Sequence, residues 1–282
     1  MTDFQIIASV LVRDENIYID RVIRNIQKFC DKIIITDHNS VDGTFEICTH
    51  LAEEFPNIEV KRIDLLEESF EAIKPYCGTK TWIFAVDGDE IFDPAGLAEM
   101  RRRLLEGEFS EYWTVFANTL HCVKLDLKAK KAWGYLAPPA RAGARLYNFS
   151  IIKDWLDHGE RLLGDNIHFE DGYHLGLRKY LHQETDWEDA YFRYVHVSFL
   201  PRSTRQNTSF LKTRLNANEV ERIAIQKNPL KRFYTSLKMN MLRILSRDWK
   251  SQKYKQGPVV EKHITGFFTE EIVKDGKVLR HG

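Results

Sequence analysis

The chain has 282 residues, of which 43% are hydrophobic and 29% charged; that balance suits a globular fold with a sizeable core and excludes global disorder. Formal net charge is zero, but from Pro201 onward 18 Lys+Arg face 7 Asp+Glu, so that part carries +11 and the residues before it −11. The asymmetry points to an acidic N-terminal site and a basic C-terminal surface suited to membrane, nucleic acid or an anionic acceptor. Cys30, Cys48, Cys77 and Cys122 are too scattered for a zinc site or a thiol-exchange pair, and read as reduced packing residues of a cytoplasmic protein. The apolar run Ile6 to Val12 is too short for a signal-peptide core, and no run approaches the length that spans a bilayer. The expectation is a protein neither exported nor integral to a membrane.

In chain order, Phe4 to Val12 is an apolar, β-branched strand that stops at Arg13, Asp14, Glu15 and Asn16. Ile19, Val22, Ile23, Ile26 and Phe29 then recur at helical spacing. Ile33 to Ile35 gives a second strand ending in Asp37, His38, Asn39, Ser40, Val41, Asp42, Gly43 and Thr44, and Thr44 to Phe55 a second helix. Strand, helix, strand is a βαβ unit. Ile58 to Ile63 is a third strand, Leu66 to Tyr76 a helix, and Trp82 to Val86 a fourth strand that empties into Asp87, Gly88, Asp89 and Glu90. In an open parallel sheet these three polar clusters share the carboxyl edge, where ligands bind. Three carboxylates within four residues repel unless a cation holds them. Gly88 would let the backbone turn so that Asp87 and Asp89 reach one divalent ion and the phosphates it carries. A solvated turn after a core strand is the plainer reading. No glycine-rich dinucleotide fingerprint and no phosphate loop is present, which disfavours a Rossmann dehydrogenase or P-loop NTPase.

Glu15, the run Asp37 to Thr44, and the run Trp82 to Glu90 together resemble the family two glycosyltransferases of GT-A fold, over about the first 95 residues and in the right order. The resemblance implies an α/β fold with a Rossmann-like, mostly parallel sheet flanked by helices. It also implies a nucleoside diphosphate sugar as donor, UDP-sugar first, a divalent cation (Mn2+ or Mg2+), and transfer with inversion to a hydroxyl acceptor such as a glycan or lipid-linked intermediate. Carried over, Asp37 contacts the donor base, and Arg13, Glu15, Asn39, Asp42 and Gly88 line the nucleotide pocket. Asp87 and Asp89 hold ribose and metal-diphosphate, with Asp89 as primary metal ligand. The chemistry agrees: a sugar diphosphate is an anion that an acidic strand end accepts only through a metal.

Further on, Gly96 to Leu105 is a helix whose Arg101, Arg102 and Arg103 read as a solvated face. Tyr112 to Ala117 and Leu120 to Val123 are strands, Lys124 to Gly143 a basic loop over the site, and Arg145 to Tyr147 a short strand. Asp165 to Gly172 is a second acidic cluster. An inverting transferase needs a base for the acceptor hydroxyl; Asp171 is the first candidate, Glu170 the second, and Glu188 with Asp189 a further pair. Among five histidines in this half, His196 stands out within the strand-like run Tyr194 to Phe199 as a further metal or diphosphate contact, with Arg202 and Arg205 after it as a diphosphate clamp or as solvated turn residues.

Residues 1–205 are thus expected to form the catalytic domain and residues 206–282 a basic helical extension and tail, with a hairpin turn at Asp275 and Gly276. The apolar stripe Leu230, Phe233, Tyr234, Leu237, Met241, Ile244, Leu245 and Trp249 is expected to pack on the core; peripheral contact of 230–250 with an anionic membrane is the second reading and nucleic acid the third. Competing functions are a haloacid dehalogenase-like phosphohydrolase, a sugar nucleotidyltransferase, and a non-catalytic GT-A-like binding module.

Overall fold

The computed structural model describes residues 4–156, 162, 164, 166–205, 228–231, 233–235, 237 and 249–268. Strand β1 (Gln5–Val12) is buried along nearly its whole length. It lies between β2 (Lys32–Asp37) and β4 (Thr81–Asp87), parallel to both, and β3 (Ile58–Arg62) continues the parallel run beyond β2. Alternate residues face opposite layers: Ile6, Ala8, Val10 and Val12 join one apolar cluster, and Ile7 joins Ile34, Ile83 and Ala85 in another. A sheet covered on both faces needs continuous apolar strands, and Gln5–Val12 and Thr81–Asp87 have them.

Helix α1 (Ile19–Ile26) closes the first face by burying Ile19, Val22, Ile23 and Ile26. Eight residues are too few to hold a helix alone, so burial, at roughly 1.5–3 kcal/mol per large aliphatic side chain, is what keeps it. Helix α2 (Thr44–Glu54) follows β2. The expected helix over 66–76 is shorter, α3 (Glu68–Glu71) with a 3-10 turn at Lys74–Tyr76, because Pro75 has no N–H to continue the ladder.

Beyond β4 the chain passes through β5 (Glu90–Phe92) into α4 (Pro94–Leu105), capped by the Asp93 carboxylate on Ala95 N. The segment expected to be a loop over the site is a hairpin, β7 (Asn118–Asp126) with β8 (Lys131–Leu136). Gly134 permits it: a Cβ there would stand 2.3 Å from the His121 carbonyl oxygen. With β6 (Thr114–Phe116), β9 (Ala144–Asn148) and β12 (Arg178–Tyr180), the first sheet has the order β12-β6-β9-β4-β1-β2-β3, in which β9 alone is antiparallel to its neighbours.

Strands β13 (Arg193–His196) and β14 (Val259–His263) complete a second sheet, β14-β8-β7-β13-β5. The expected division at residue 206 therefore does not hold for residues 249–268: β14 pairs with β8, Phe267 is buried, and its carbonyl accepts from Asn25. Of the expected stripe, Leu230, Phe233, Tyr234 and Leu237 stand 48–80% exposed, so they do not pack on the core. Met241, Ile244, Leu245, Asp275 and Gly276 lie outside the described residues. No helix among the described residues is long and apolar enough to cross a membrane.

Candidate active site

The chain leaves β1 toward β2 and β3 on one side and returns to β4 on the other, so the carboxyl ends of β1 and β4 flank the switch point of the sheet. Asp87 to Glu90 form the corner at which the first sheet passes into the second. Two partly buried arginines neutralise part of it. Arg202 Nη1 donates to Glu15 Oε1 at 3.0 Å and to Asp89 Oδ2. Arg145 Nη2 donates to Glu90 Oε1 and stands 3.8 Å from Asp87 Oδ2. Among the described residues, Arg202 thus bridges Glu15 and Asp89, and Arg145 faces Glu90 and Asp87. Burial pushes the Glu90 carboxyl up to about 8; Arg145 opposes that, and Asp87 and Asp89 add to it.

Gly88 has a different reason from the one its sequence position suggests. Its φ is not left-handed; the missing side chain makes room, since a Cβ would lie 2.0 Å from Glu15 Oε2 and 3.1 Å from the Val12 side chain. The carboxylate of Glu15 is packed into the space that glycine leaves.

The loops after β1 and β2 are laced together. Glu15 N donates to Thr44 Oγ1 at 2.7 Å, Asp14 N to Ser40 Oγ at 2.9 Å, and Val41 N to Asp14 Oδ1 at 2.8 Å. Asp42 accepts from Thr44, Asn16 and Ser203, and these bonds outweigh burial to hold its carboxyl below the usual range. Both of its oxygens are spent on these loop contacts. Asn39, in the left-handed region at φ 53°, points its amide to Asp64 Oδ1 at 2.9 Å, and Arg13 donates to the His38 carbonyl at 2.9 Å. Asp37 differs. One oxygen takes Ser40 N at 3.0 Å and lies 3.5 Å from Arg62 Nε, while Oδ2, in a residue 0% exposed, has no hydrogen-bond partner. Burial raises its pKa against the pull of Ser40 and Arg62.

The segment after β13 closes the crevice. Asn16 and Thr204 bond reciprocally at 2.7 and 2.9 Å, and Arg205 donates to the Val41 carbonyl at 2.5 Å. Arg202 is held between Glu15 and Asp89, while Arg205 is exposed and tied to the loop after β2 through the Val41 carbonyl.

His196 lies in register with Glu90 on β5 and His121 on β7. Its Nε2 is 3.5 Å from Asp89 Oδ2 and its Nδ1 3.0 Å from His121 Nδ1. Burial, with His196 beside it, pushes His121 down to about 3, so its ring is neutral. Asp89 and His196 offer an oxygen and an imidazole of the kind manganese accepts. Asp87 is the third donor in sequence, but among the described residues no three His, Cys, Asp or Glu groups are drawn close enough to hold a metal. Asp89 Oδ2 also accepts from Arg202 Nη1, so the donors are not assembled around a cation site.

Glu170 and Asp171 are elsewhere. They follow the hairpin of β10 (Ile152–Trp155) and β11 (Ile167–Phe169), where Glu170 N donates to Ile151 O and Lys153 pairs with both acids. Nearby Phe149 accepts from Gly78, which precedes β4, and Asn148 pairs with Trp82. The hairpin thus stands by the amino end of β4, about 16 Å along the strand from Asp87 at 3.3 Å per residue. The expected base pair is not brought to the crevice. Glu188 is likewise bound outside it, by Lys262 at 2.7 Å.

Sequence reasoning missed Arg145, His121 and Tyr254, whose ring stacks on His121 at 4.3 Å. Pairing of β7 with β13 and of β9 with β4 brings His121 and Arg145 to the corner, and the helix Trp249–Tyr254 brings Tyr254; no local motif carries that information.

No protein-family model and no curated protein matches the sequence. Solved structures similar in part include glucosyl-3-phosphoglycerate synthase from Mycobacterium tuberculosis with Mn2+, UDP and glucosyl-3-phosphoglycerate (18% identity, 42% of this chain and 44% of that one, TM-score 0.32). Others are a mannosyltransferase from Pyrobaculum calidifontis with GDP-Man and Mn2+ (16%, 44% and 39%, 0.32) and 4-diphosphocytidyl-2C-methyl-D-erythritol synthase from Anaerococcus prevotii (14%, 52% and 70%, 0.34). The matches span less than half the length of the first two proteins, and overlap of this extent assigns the chain to no family.

Proposed function

We propose that the chain is a GT-A-type glycosyltransferase that binds a nucleoside diphosphate sugar, UDP-sugar first, in the crevice between β1 and β4. The observation behind this reading is the gathering of four carboxyl groups, Glu15, Asp87, Asp89 and Glu90, around Arg145 and Arg202 at the ends of β1 and β4. An anionic donor approaches such a corner only if cationic charge comes with it. Asp89 and His196 would hold a divalent cation, with Asp87 on its open side; when bound, it supplies neutralisation of the departing diphosphate. Arg202, already on Asp89, is placed to donate to a diphosphate oxygen. The orphaned Asp37 Oδ2 suits the ring N–H of a uracil or guanine base. Transfer with inversion to a hydroxyl acceptor follows the same reading, and its base would be a group on the open side of the crevice, since Asp171 and Glu170 stand at the other end of β4.

Asp37→Asn tests the donor assignment, because an amide at Oδ2 opposes a base N–H. Nucleotide affinity should fall about 10–100-fold, as for a lost charge-assisted bond of about 1.5–3 kcal/mol. Equal UDP binding by the variant and the wild type in calorimetry would remove Asp37 from the base site.

A second contact is proposed for the exposed Leu230, Phe233, Tyr234 and Leu237. With Lys231 beside them and +11 from Pro201 onward, they suit the surface of an anionic membrane, where a lipid-linked acceptor would lie.

A further inference from the structure

We propose that Arg141 is an acceptor-binding residue: its guanidinium, at the rim of the crevice, takes a phosphate group carried by the acceptor, a role that rests on the corner being the donor site.

The loop that carries Arg141 joins β8 to β9 and is fixed over the corner from three sides. On the sheet side, the Arg141 carbonyl oxygen lies 2.8 Å from His121 Nε2. On the helix side, the Arg141 N–H donates to the Lys253 carbonyl of α5 (Trp249–Tyr254) at 3.2 Å. Gly257, just past that helix, lets the chain close on the same loop, since a Cβ there would stand 2.7 Å from Pro139 Cγ. Toward the corner, a Cβ on Gly143 would stand 2.8 Å from Arg145 Cζ, so the loop runs against the guanidinium that faces Glu90 and Asp87. Tyr254 fills the angle between loop and sheet, its ring stacked on His121 with planes 24° apart. Burial pushes its phenol up; Arg145 and Arg141 oppose that, and Asp87 and Glu90 add to it, so one side chain feels both the corner and Arg141.

Both peptide groups of Arg141 are thus tied down, while its side chain is exposed and, among the described residues, has neither an ion pair nor a hydrogen bond. Arg145 and Arg202 differ, since their guanidiniums are already on Glu90, Glu15 and Asp89. Lys253 and Lys255, exposed on either side of Tyr254, add positive charge to the same rim, with Lys255 Nζ 4.5 Å over the Phe199 ring. Three cations at one rim suit a phosphate dianion better than a single carboxylate. This order of charge selects an acceptor with two unlike ends. A hydroxyl points inward, where the carboxylates and a diphosphate repel further negative charge. A phosphate stays outward, on a planar and always charged group that binds it bidentately.

Inorganic phosphate is the probe, its binding to the full chain followed by 31P line broadening with and without UDP and Mg2+. The wild type should bind phosphate, and should still bind it when UDP and Mg2+ are saturating. Arg141→Gln, which leaves both backbone contacts in place, should weaken phosphate about 10–100-fold, as for a lost charge-assisted hydrogen bond. Glycerol 3-phosphate and vesicles of phosphatidic acid, tested as competitors, separate a soluble from a lipid-borne phosphate; displacement by neither overturns the proposal. So does a wild type that binds no phosphate, or equal affinity in Arg141→Gln. Displacement of phosphate by UDP overturns it as well, because the anion at Arg141 is then the donor's own diphosphate. A chain that binds phosphate through Arg141 but binds no UDP counts against the donor reading and leaves the phosphate site standing.

Discussion

Gly88 shows how a single residue's role changes once its neighbours are known. Between two aspartates it reads as a turn glycine, yet its backbone asks for nothing special, and what it supplies is the volume taken by the Glu15 carboxylate. Gly88→Ala would press a Cβ to 2.0 Å from Glu15 Oε2 and force Glu15 off Arg202. Overpacking of this kind costs about 1–3 kcal/mol. The expected outcome is a fall in thermal stability of that order with a larger loss of cation binding, measured by denaturation and Mn2+ titration. A variant as stable as the wild type with unchanged Mn2+ affinity would show that the corner relaxes freely. Asp42 teaches the reverse lesson: it sits in a run that suggests ligand contact, but each of its oxygens already serves Thr44, Asn16 or Ser203.

At the scale of elements, the ends of strands are tied by charge. Arg101, read from sequence as solvated, donates to Asp31 at 2.6 and 3.2 Å and to the Phe29 carbonyl, while Asp31 also accepts Ile6 N at 2.7 Å. This joins α4 to the start of β1. Burial opposes ionisation of Asp31, but Arg101 and the Ile6 N–H prevail and hold its pKa below the ordinary 3.8. A depressed carboxyl contributes stability above its unfolded pKa and loses it as pH falls through the folded one. Asp31→Asn should therefore be less stable than the wild type at neutral pH, with the gap closing below about pH 4, since both pKa values lie at or under that point. A gap that stays constant down to acid unfolding would mean that the charge is not what matters. For the segment after Leu230, co-sedimentation with vesicles containing phosphatidylserine should show binding that weakens with added salt and is reduced by Phe233→Ser with Leu237→Ser. No binding, or binding indifferent to salt, would remove the membrane from the account.

Over the whole molecule, the first 95 residues were legible because each strand is buried on both faces and so writes itself as a continuous apolar run, ending where polar loops begin. Those runs placed Glu15, Asp37 and Asp87 to Glu90 on one edge of the sheet, and the fold keeps them there. The second sheet was not legible: β8 alternates buried Ala132 and Gly134 with half-exposed Trp133 and Tyr135, a pattern shared with loops, and β14 joins from the far end of the chain. For that reason His121 was missed; Arg145, on a strand that was legible, reaches the corner only through the antiparallel pairing of β9 with β4, and Glu170 with Asp171 follow the β10–β11 hairpin, whose place by the amino end of β4 no local pattern shows. Calorimetric titration of UDP-, GDP- and TDP-sugars into the wild type and Asp89→Asn, with and without Mn2+, bears most directly on the donor site. The expected result is binding of one of these donors that requires Mn2+ and is lost in Asp89→Asn; a wild-type protein that binds none of them in the presence of Mn2+ would contradict it.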